Sequence, residues 1–400
     1  MKNFFLLILI FLINSNIFSQ ATRSIEAESS VVTNHFVTVN GTRIPYSATA
    51  GTLPVWSEED KAVATLFYTY YKRSDVKDNT NRPIFFSFNG GPGAASIWMH
   101  MGYTSPRTLN IDDEGYPIQP YGTKENPYSI IDVADIVYVN PVNVGLSRIL
   151  DKEYDRSNFF GVNSDIKYLA QWIEDFINKY NLWLSPKYLI GESYGTTRCS
   201  GLALELQSRW HTTYLNGVIL VSPTGLGIKR DGPVNSALRI PYFAATAWYH
   251  NKLEDDLQSR ELLDLLDEVE KFSVNEFLPA VSLGNSISES DRSEIARKAA
   301  RYSGLSERDF IDNNLDVTDQ YFWKKLLYDE GYILGRLDSR YRGIDKKNSG
   351  VSVGSYPELD AWDHAFTPAM QDYLLNDLRY KTNMNYNVWG NVRPWNRDND

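Results

Sequence analysis

Two short glycine-bracketed stretches hold the residues best suited to chemistry. In Gly191-Glu192-Ser193-Tyr194-Gly195, a serine stands between two glycines, after the apolar run Tyr188-Leu189-Ile190 and before a helical pattern. A serine on a sharp strand-to-helix turn presents its hydroxyl as an acyl-accepting nucleophile. The flanking glycines let the backbone turn tightly and keep side chains off the hydroxyl. The following helix points its N-terminus at the site, so the backbone N–H of Tyr194 faces a developing oxyanion. The second stretch, Asn89-Gly90-Gly91-Pro92-Gly93, follows the apolar run at 83–88. Acyl transfer on such an elbow needs another oxyanion donor, and a glycine loop after a neighbouring strand can supply it. A phosphate-cradling loop would continue into Gly-Lys-Ser/Thr, which this one does not.

The elements that must hold these stretches are legible as patterns. Residues 31–39 and 63–72 are rich in β-formers and alternate, as strands of an antiparallel start do. The runs at 83–88, 134–140, 187–191 and 217–222 are continuously apolar, as expected of strands buried on both faces. Over 164–180, Ile166, Leu169, Ala170, Ile173, Phe176, Ile177 and Tyr180 recur at spacings of three and four, which predicts a helix with Asn163 or Ser164 as its cap. Strands alternating with helices imply parallel βαβ units and an α/β class with a mostly parallel central sheet. From about 236 to 380 the patterns are helical and buried-strand runs are missing. This reads as a large helical insertion, a cap over the sheet's C-terminal edge, where α/β sheets bind ligands. The resulting division is a leader at 1–20, an α/β core at 30–235 and the insertion at 236–395.

Composition narrows the partners. The formal net charge is −10, which argues against nucleic acid, since phosphate binding needs a basic face. No basic run offers itself to an anionic membrane. Lys2 followed by the apolar Phe4–Leu12 and a polar break near 19–21 reads as a secretory signal peptide, too short to span a bilayer. Cys199 is the only cysteine, so no internal disulfide can form; a buried structural role is expected for it. Export without disulfides suits a bacterial periplasm or secretion.

The chain resembles the serine carboxypeptidases of the α/β-hydrolase fold, in their bacterial branch. The likeness is carried by FNGGPGAASIWMHMG, NPVNVGLSR, the stretch from FFGVNSD to LIGESYGTTRCSG, LRIPYFAATAWYHNKL and GRLDSRYRGID, and covers roughly residues 32–395. The resemblance implies that Ser193 is the nucleophile and that the N–H groups of Gly91 and Tyr194 form the oxyanion hole. It implies that Asn89, Gly90 and Glu192 bind the terminal carboxylate of a peptide with a free C-terminus, and that no metal or cofactor takes part. Two carboxyl groups in contact cannot both be ionised, so Glu192 should carry a proton when peptide binds, which favours mild acid. The chain departs from the family pattern at Ala94, Ala95, Asn140, Asn143 and Val144. Where the family places a second acidic partner for Glu192, IWMHMGYTSPR offers no carboxylate, only His100.

A triad also needs a histidine and an acid, which in this fold follow the serine on separate strands. His35 and His100 precede Ser193. His211, His250 and His364 follow it in helical contexts, and Asp360 or Asp363 beside His364 cannot point as a triad requires. The expectation is therefore an enzyme sequence cut short before its Asp, its His and the last strands of its sheet, leaving a sheet edge exposed. An inactive fragment or a peptide-binding protein without hydrolysis is the alternative, and an esterase or acyltransferase of the same fold is a further one. Tyr242, Trp248 and Tyr249 are candidate pocket aromatics in the insertion.

Overall fold

The computed structural model describes residues 23–224 and 231–397; the leader read at 1–20 lies outside them. The chain opens with an antiparallel meander, β1 (Ser29–Val39), β2 (Thr42–Trp56) and β3 (Ala62–Arg73), and continues through β4 (Ile84–Phe88), β5 (Asp135–Val139), helix α1 (Val162–Lys179), β6 (Lys187–Glu192), helix α2 (Tyr194–Ser208) and β7 (Gly217–Val221). Across the sheet the order is β1-β2-β3-β5-β4-β6-β7, with the short strand Arg148–Ile149 pairing β3. β5, β4, β6 and β7 run parallel to their neighbours, while β3 joins β5 antiparallel. This is a mixed sheet of the α/β-hydrolase kind, antiparallel from β1 to β5 and parallel from β5 through β4 and β6 to β7. All five residues of β5 are buried: residues 136–139 continue the apolar run, and Asp135 is paired with buried Arg82 at 2.6 Å.

β2 is the strand that the sequence conceals. Pro45, Gly51 and Pro54 interrupt it, and each argues locally against a strand. The pairing overrides them: β2 is registered against β1 on one side and β3 on the other, and most of it is buried. The helix predicted at 164–180 begins slightly earlier and is not capped by Asn163 or Ser164. Its N-cap is Gly161, in extended backbone, and the Ser164 hydroxyl instead donates to the Ser157 carbonyl at 2.7 Å.

The apolar residues fall into two clusters. One joins the sheet to α1 and α2 around Trp172, Phe176, Tyr68 and Phe86. The other lies within 237–334, where helices α3 (Gly232–Tyr249), α4 (Leu262–Phe272) and α5 (Glu289–Ser303) bury Phe243, Val269 and Ala296 against one another. Patterning alone groups 357–395 with this insertion, but the packing differs. Helix α6 (Pro357–Asp372) and the residues after it bury Phe366, Met370, Tyr373, Tyr386 and Val388 in the sheet's cluster. Trp362 stacks on Trp98 with ring centroids 5.5 Å apart. The helical period is the same on either side of this change of allegiance, so only packing distinguishes the two groups.

β7 forms the edge of the sheet among the described residues. Its Val218, Ile219 and Leu220 are 37%, 43% and 39% exposed.

Candidate active site

Ser193 sits between β6 and α2 at φ 57°, ψ −125°. Positive φ is costly for a residue with a side chain and persists only where its surroundings enforce it. Here the Ser193 N–H donates to the Val221 carbonyl at 3.0 Å, and its own carbonyl accepts from the Thr196 N–H at 2.9 Å and hydroxyl at 2.7 Å. The flanking glycines are demanded by space. A Cβ on Gly191 would lie 2.1 Å from the Gly195 carbonyl oxygen. One on Gly90 would lie 2.4 Å from the Tyr194 nitrogen and 2.9 Å from the Ser193 Cβ. The two motifs, a hundred positions apart in sequence, are thus pressed backbone to backbone, with Gly91 beside them at φ 108°. Among the described residues the Ser193 hydroxyl has no hydrogen-bond partner.

The loop is held by an ion pair that sequence reasoning missed. Arg198, on α2 one turn past the elbow, places Nε 2.5 Å from Asp165 Oδ2 on α1, and both side chains are 1% exposed. Its other nitrogens donate to the carbonyls of Asn89 (2.5 Å) and Pro92 (2.6 Å). The Tyr168 hydroxyl donates to the second Asp165 oxygen at 2.8 Å. A single buried guanidinium therefore ties both helices to the glycine loop. No local motif announces it, because each partner lies in a different segment.

Asn89 and Glu192 meet directly. Asn89 Nδ2 donates to Glu192 Oε2 at 2.9 Å, and Asn89 Oδ1 accepts from the Met99 N–H at 2.8 Å, which fixes the amide's orientation. Burial pushes the Glu192 carboxyl above its usual range, while the Asn89 hydrogen bond and the charge of Arg336 pull it back. Arg336 belongs to the stretch before α6 and was not singled out in sequence. The Glu192 charge also reaches Tyr103, whose phenol is raised by burial and by that charge. His100 is buried in the core, with Nε2 2.6 Å from the Tyr71 hydroxyl and its ring stacked on Tyr138, and desolvation lowers it to about 3.

The other histidines stand apart from the serine. His35 meets Thr33 at 2.7 Å, and His250 meets the Ser339 carbonyl at 2.7 Å. His211 and His364 are exposed, His364 within α6 rather than at its start. Asp363 accepts from Trp389 Nε1 at 3.0 Å, and Asp360 pairs with Lys346 at 3.0 Å. Of the candidate pocket aromatics, Tyr242 accepts from Trp323 Nε1 (2.6 Å) and Trp248 donates to the Arg260 carbonyl (3.1 Å) within the insertion's own packing, leaving Tyr249 exposed. Cys199 is fully buried in α2, and burial pushes its thiol up, as a structural cysteine requires.

A late segment completes the loop's outer wall. The Gly390 N–H donates to the Gly93 carbonyl at 2.8 Å, and the Ala95 N–H donates to the Val388 carbonyl at 2.9 Å. Trp395 packs edge-on against Tyr194 at 5.5 Å. The same segment exchanges backbone bonds with Gly145 through Asn387 and with the start of α1 through Asn396.

The serine carboxypeptidase sequence pattern matches residues 40–292, which include both glycine motifs. The chain belongs to the serine carboxypeptidase family. Among curated relatives, the retinoid-inducible serine carboxypeptidase of Rattus norvegicus is 27% identical over 46% of this chain and 38% of its own length. Serine carboxypeptidase-like 45 of Arabidopsis thaliana is 26% identical over 49% of this chain and 39% of its own. The chain thus matches less than half the length of these relatives. A crystal structure of the Saccharomyces cerevisiae prohormone-processing carboxypeptidase Kex1 aligns over 67% of this chain and 52% of that one, with 21% identity and a TM-score of 0.39. Among the described residues no helix is long and apolar enough to cross a membrane, and no group of three or more His, Cys, Asp or Glu could hold a metal ion.

Proposed function

We propose that Ser193 is the acyl nucleophile of a carboxypeptidase site that takes peptides with a free C-terminus. In this reading the N–H groups of Gly91 and Tyr194 form the oxyanion hole, and Asn89, Gly90 and Glu192 receive the terminal carboxylate. The observation that carries it is the Asn89–Glu192 contact at 2.9 Å beside the strained serine. A raised carboxyl next to the nucleophile suits a protonated Glu192 donating to a substrate carboxylate, so affinity for peptide acids falls as pH rises through the Glu192 pKa. The mature protein is exported, on the strength of the leader pattern at 1–20. Its working division is a sheet core that includes 357–395 and a helical cap within 236–334.

Peptide binding without hydrolysis is the second reading. It draws on the Ser193 hydroxyl having no partner among the described residues, with each described histidine bonded elsewhere or exposed, His211 in the turn after α2 and His364 on α6. Without a base, little beyond oxyanion-hole catalysis would remain. Fluorophosphonate labelling separates the two. Labelling of the full chain that disappears in Ser193→Ala supports an activated serine. An unlabelled but folded chain that still prefers a free-acid peptide to its amide supports binding alone. A chain with no such preference sinks the carboxylate site itself, and labelling without it would favour an esterase or acyltransferase.

A further inference from the structure

Ser193 has a strained neighbour. Ser222, the first residue past β7, is also held at positive φ, 49°. The sheet fixes its place. β7 pairs parallel with β6, and the last matched pair is Val221 with Glu192. The ladder then takes one more step, since the Ser193 N–H donates to the Val221 carbonyl at 3.0 Å. In a parallel ladder that bond sets Ser222 directly across from Ser193, with the backbones about 4.8 Å apart. The turn that carries Ser222 is clasped to the elbow. The buried Thr196 hydroxyl donates to the Ser193 carbonyl at 2.7 Å and accepts from the Thr224 N–H at 3.3 Å. The Thr197 hydroxyl donates to the Thr224 carbonyl at 3.1 Å. Left-handed backbone at a serine persists only where its surroundings impose it, and such residues gather at functional sites. Ser222 is exposed, and its hydroxyl has no hydrogen-bond partner among the described residues.

The strands also order these groups in space. Asn89 follows β4, Ser193 follows β6 and Ser222 follows β7, and the three strands lie side by side in the order β4-β6-β7. Glu192 is bonded to Asn89, so the proposed carboxylate pocket lies on the β4 side of the nucleophile. Ser222 lies on the other side. A peptide with its terminal carboxylate at Asn89 and its scissile carbonyl at Ser193 has its leaving residue toward β4, and the rest of the chain departs toward β7.

We propose that Ser222 is a substrate-binding residue whose hydroxyl accepts from the main-chain N–H of the peptide residue before the scissile bond. The inference rests on the carboxylate site proposed above and extends it across Ser193. A serine hydroxyl has two acceptor lone pairs, and a main-chain N–H is offered by every residue except proline. Ser222 therefore distinguishes a peptide from a single acylated amino acid without reading a side chain.

The test is calorimetric binding to the full chain carrying Ser193→Ala, so that no ligand is consumed. The ligands are an N-acetyl dipeptide, as free acid and as C-terminal amide, and the N-acetyl amino acid with the same C-terminal residue. The last keeps the carboxylate and an acyl carbonyl but lacks the N–H in question. Ser222→Ala and Ser222→Gly should each weaken the dipeptide acid about two- to tenfold and leave the N-acetyl amino acid unchanged. Glycine accepts positive φ without strain, so a loss shared by the glycine variant belongs to the hydroxyl and not to the backbone. If Ser222→Gly binds the dipeptide as tightly as the parent, or the parent binds both acids equally, this inference falls and the carboxylate site stands. Equal weakening of both acids would mean that Ser222 acts through the elbow, and would also overturn it. A parent with no preference for the dipeptide acid over its amide sinks both.

Discussion

At the scale of single residues, the site joins groups of opposite legibility. Ser193, Asn89 and Glu192 stand inside motifs whose glycines are forced by contact, so their meeting at one place was legible in the sequence itself. The place of Arg198 was not, since it meets Asp165, Asn89 and Pro92 only through folding. Glu192 carries a consequence for stability. Burial raises its carboxyl above the unfolded value, so the folded state is penalised when the group is ionised. That penalty is absent below the unfolded pKa and fully developed above the folded one. Glu192→Gln keeps an oxygen for the Asn89 amide and cannot ionise. Thermal melts should therefore show it more stable than wild type at about pH 8 and unchanged at about pH 4; equal shifts at both pH values would refute the assignment.

At the scale of elements, helix α1 was legible from its periodicity and α2 from its place after the turn at 191–195, but what couples them was not. Arg198→Met would leave the Asp165 charge buried without its partner and release two loop carbonyls. A loss of about 3–5 kcal/mol is expected in urea unfolding. Asn89 and Glu192 should lose their fixed geometry with it, so peptide affinity should drop even under conditions where the variant remains folded. The segment around Gly390 makes a similar prediction from packing. A methyl there would lie 2.4 Å from the Asn143 carbonyl oxygen and 2.6 Å from a Val144 methyl. Gly390→Ala should cost about 1–3 kcal/mol, read from the same unfolding curves. Strand β2 was hidden because Pro45, Gly51 and Pro54 weigh against a strand locally while pairing on both sides weighs for it. Local preference lost to tertiary context there, as it did for the polar cap expected on α1.

At the scale of the molecule, the α/β class and the sheet's parallel half followed from the alternation of apolar runs with helical periods. The allegiance of α6 did not, since a helical stripe does not say which core it will enter. The exposed side chains of β7 set a further expectation. An uncovered apolar edge strand invites pairing between chains. Light scattering should show concentration-dependent association that Ile219→Lys suppresses with little change in melting temperature; unchanged association would mean that the edge is not the adhesive surface. The bond between Gly93 and Gly390 has a meaning in time as well as in space. A ribosome makes Gly93 long before Gly390, and the whole helical insertion emerges between them. The loop beside the serine therefore cannot be finished before residues 387–396 have been made, however early its own residues emerge.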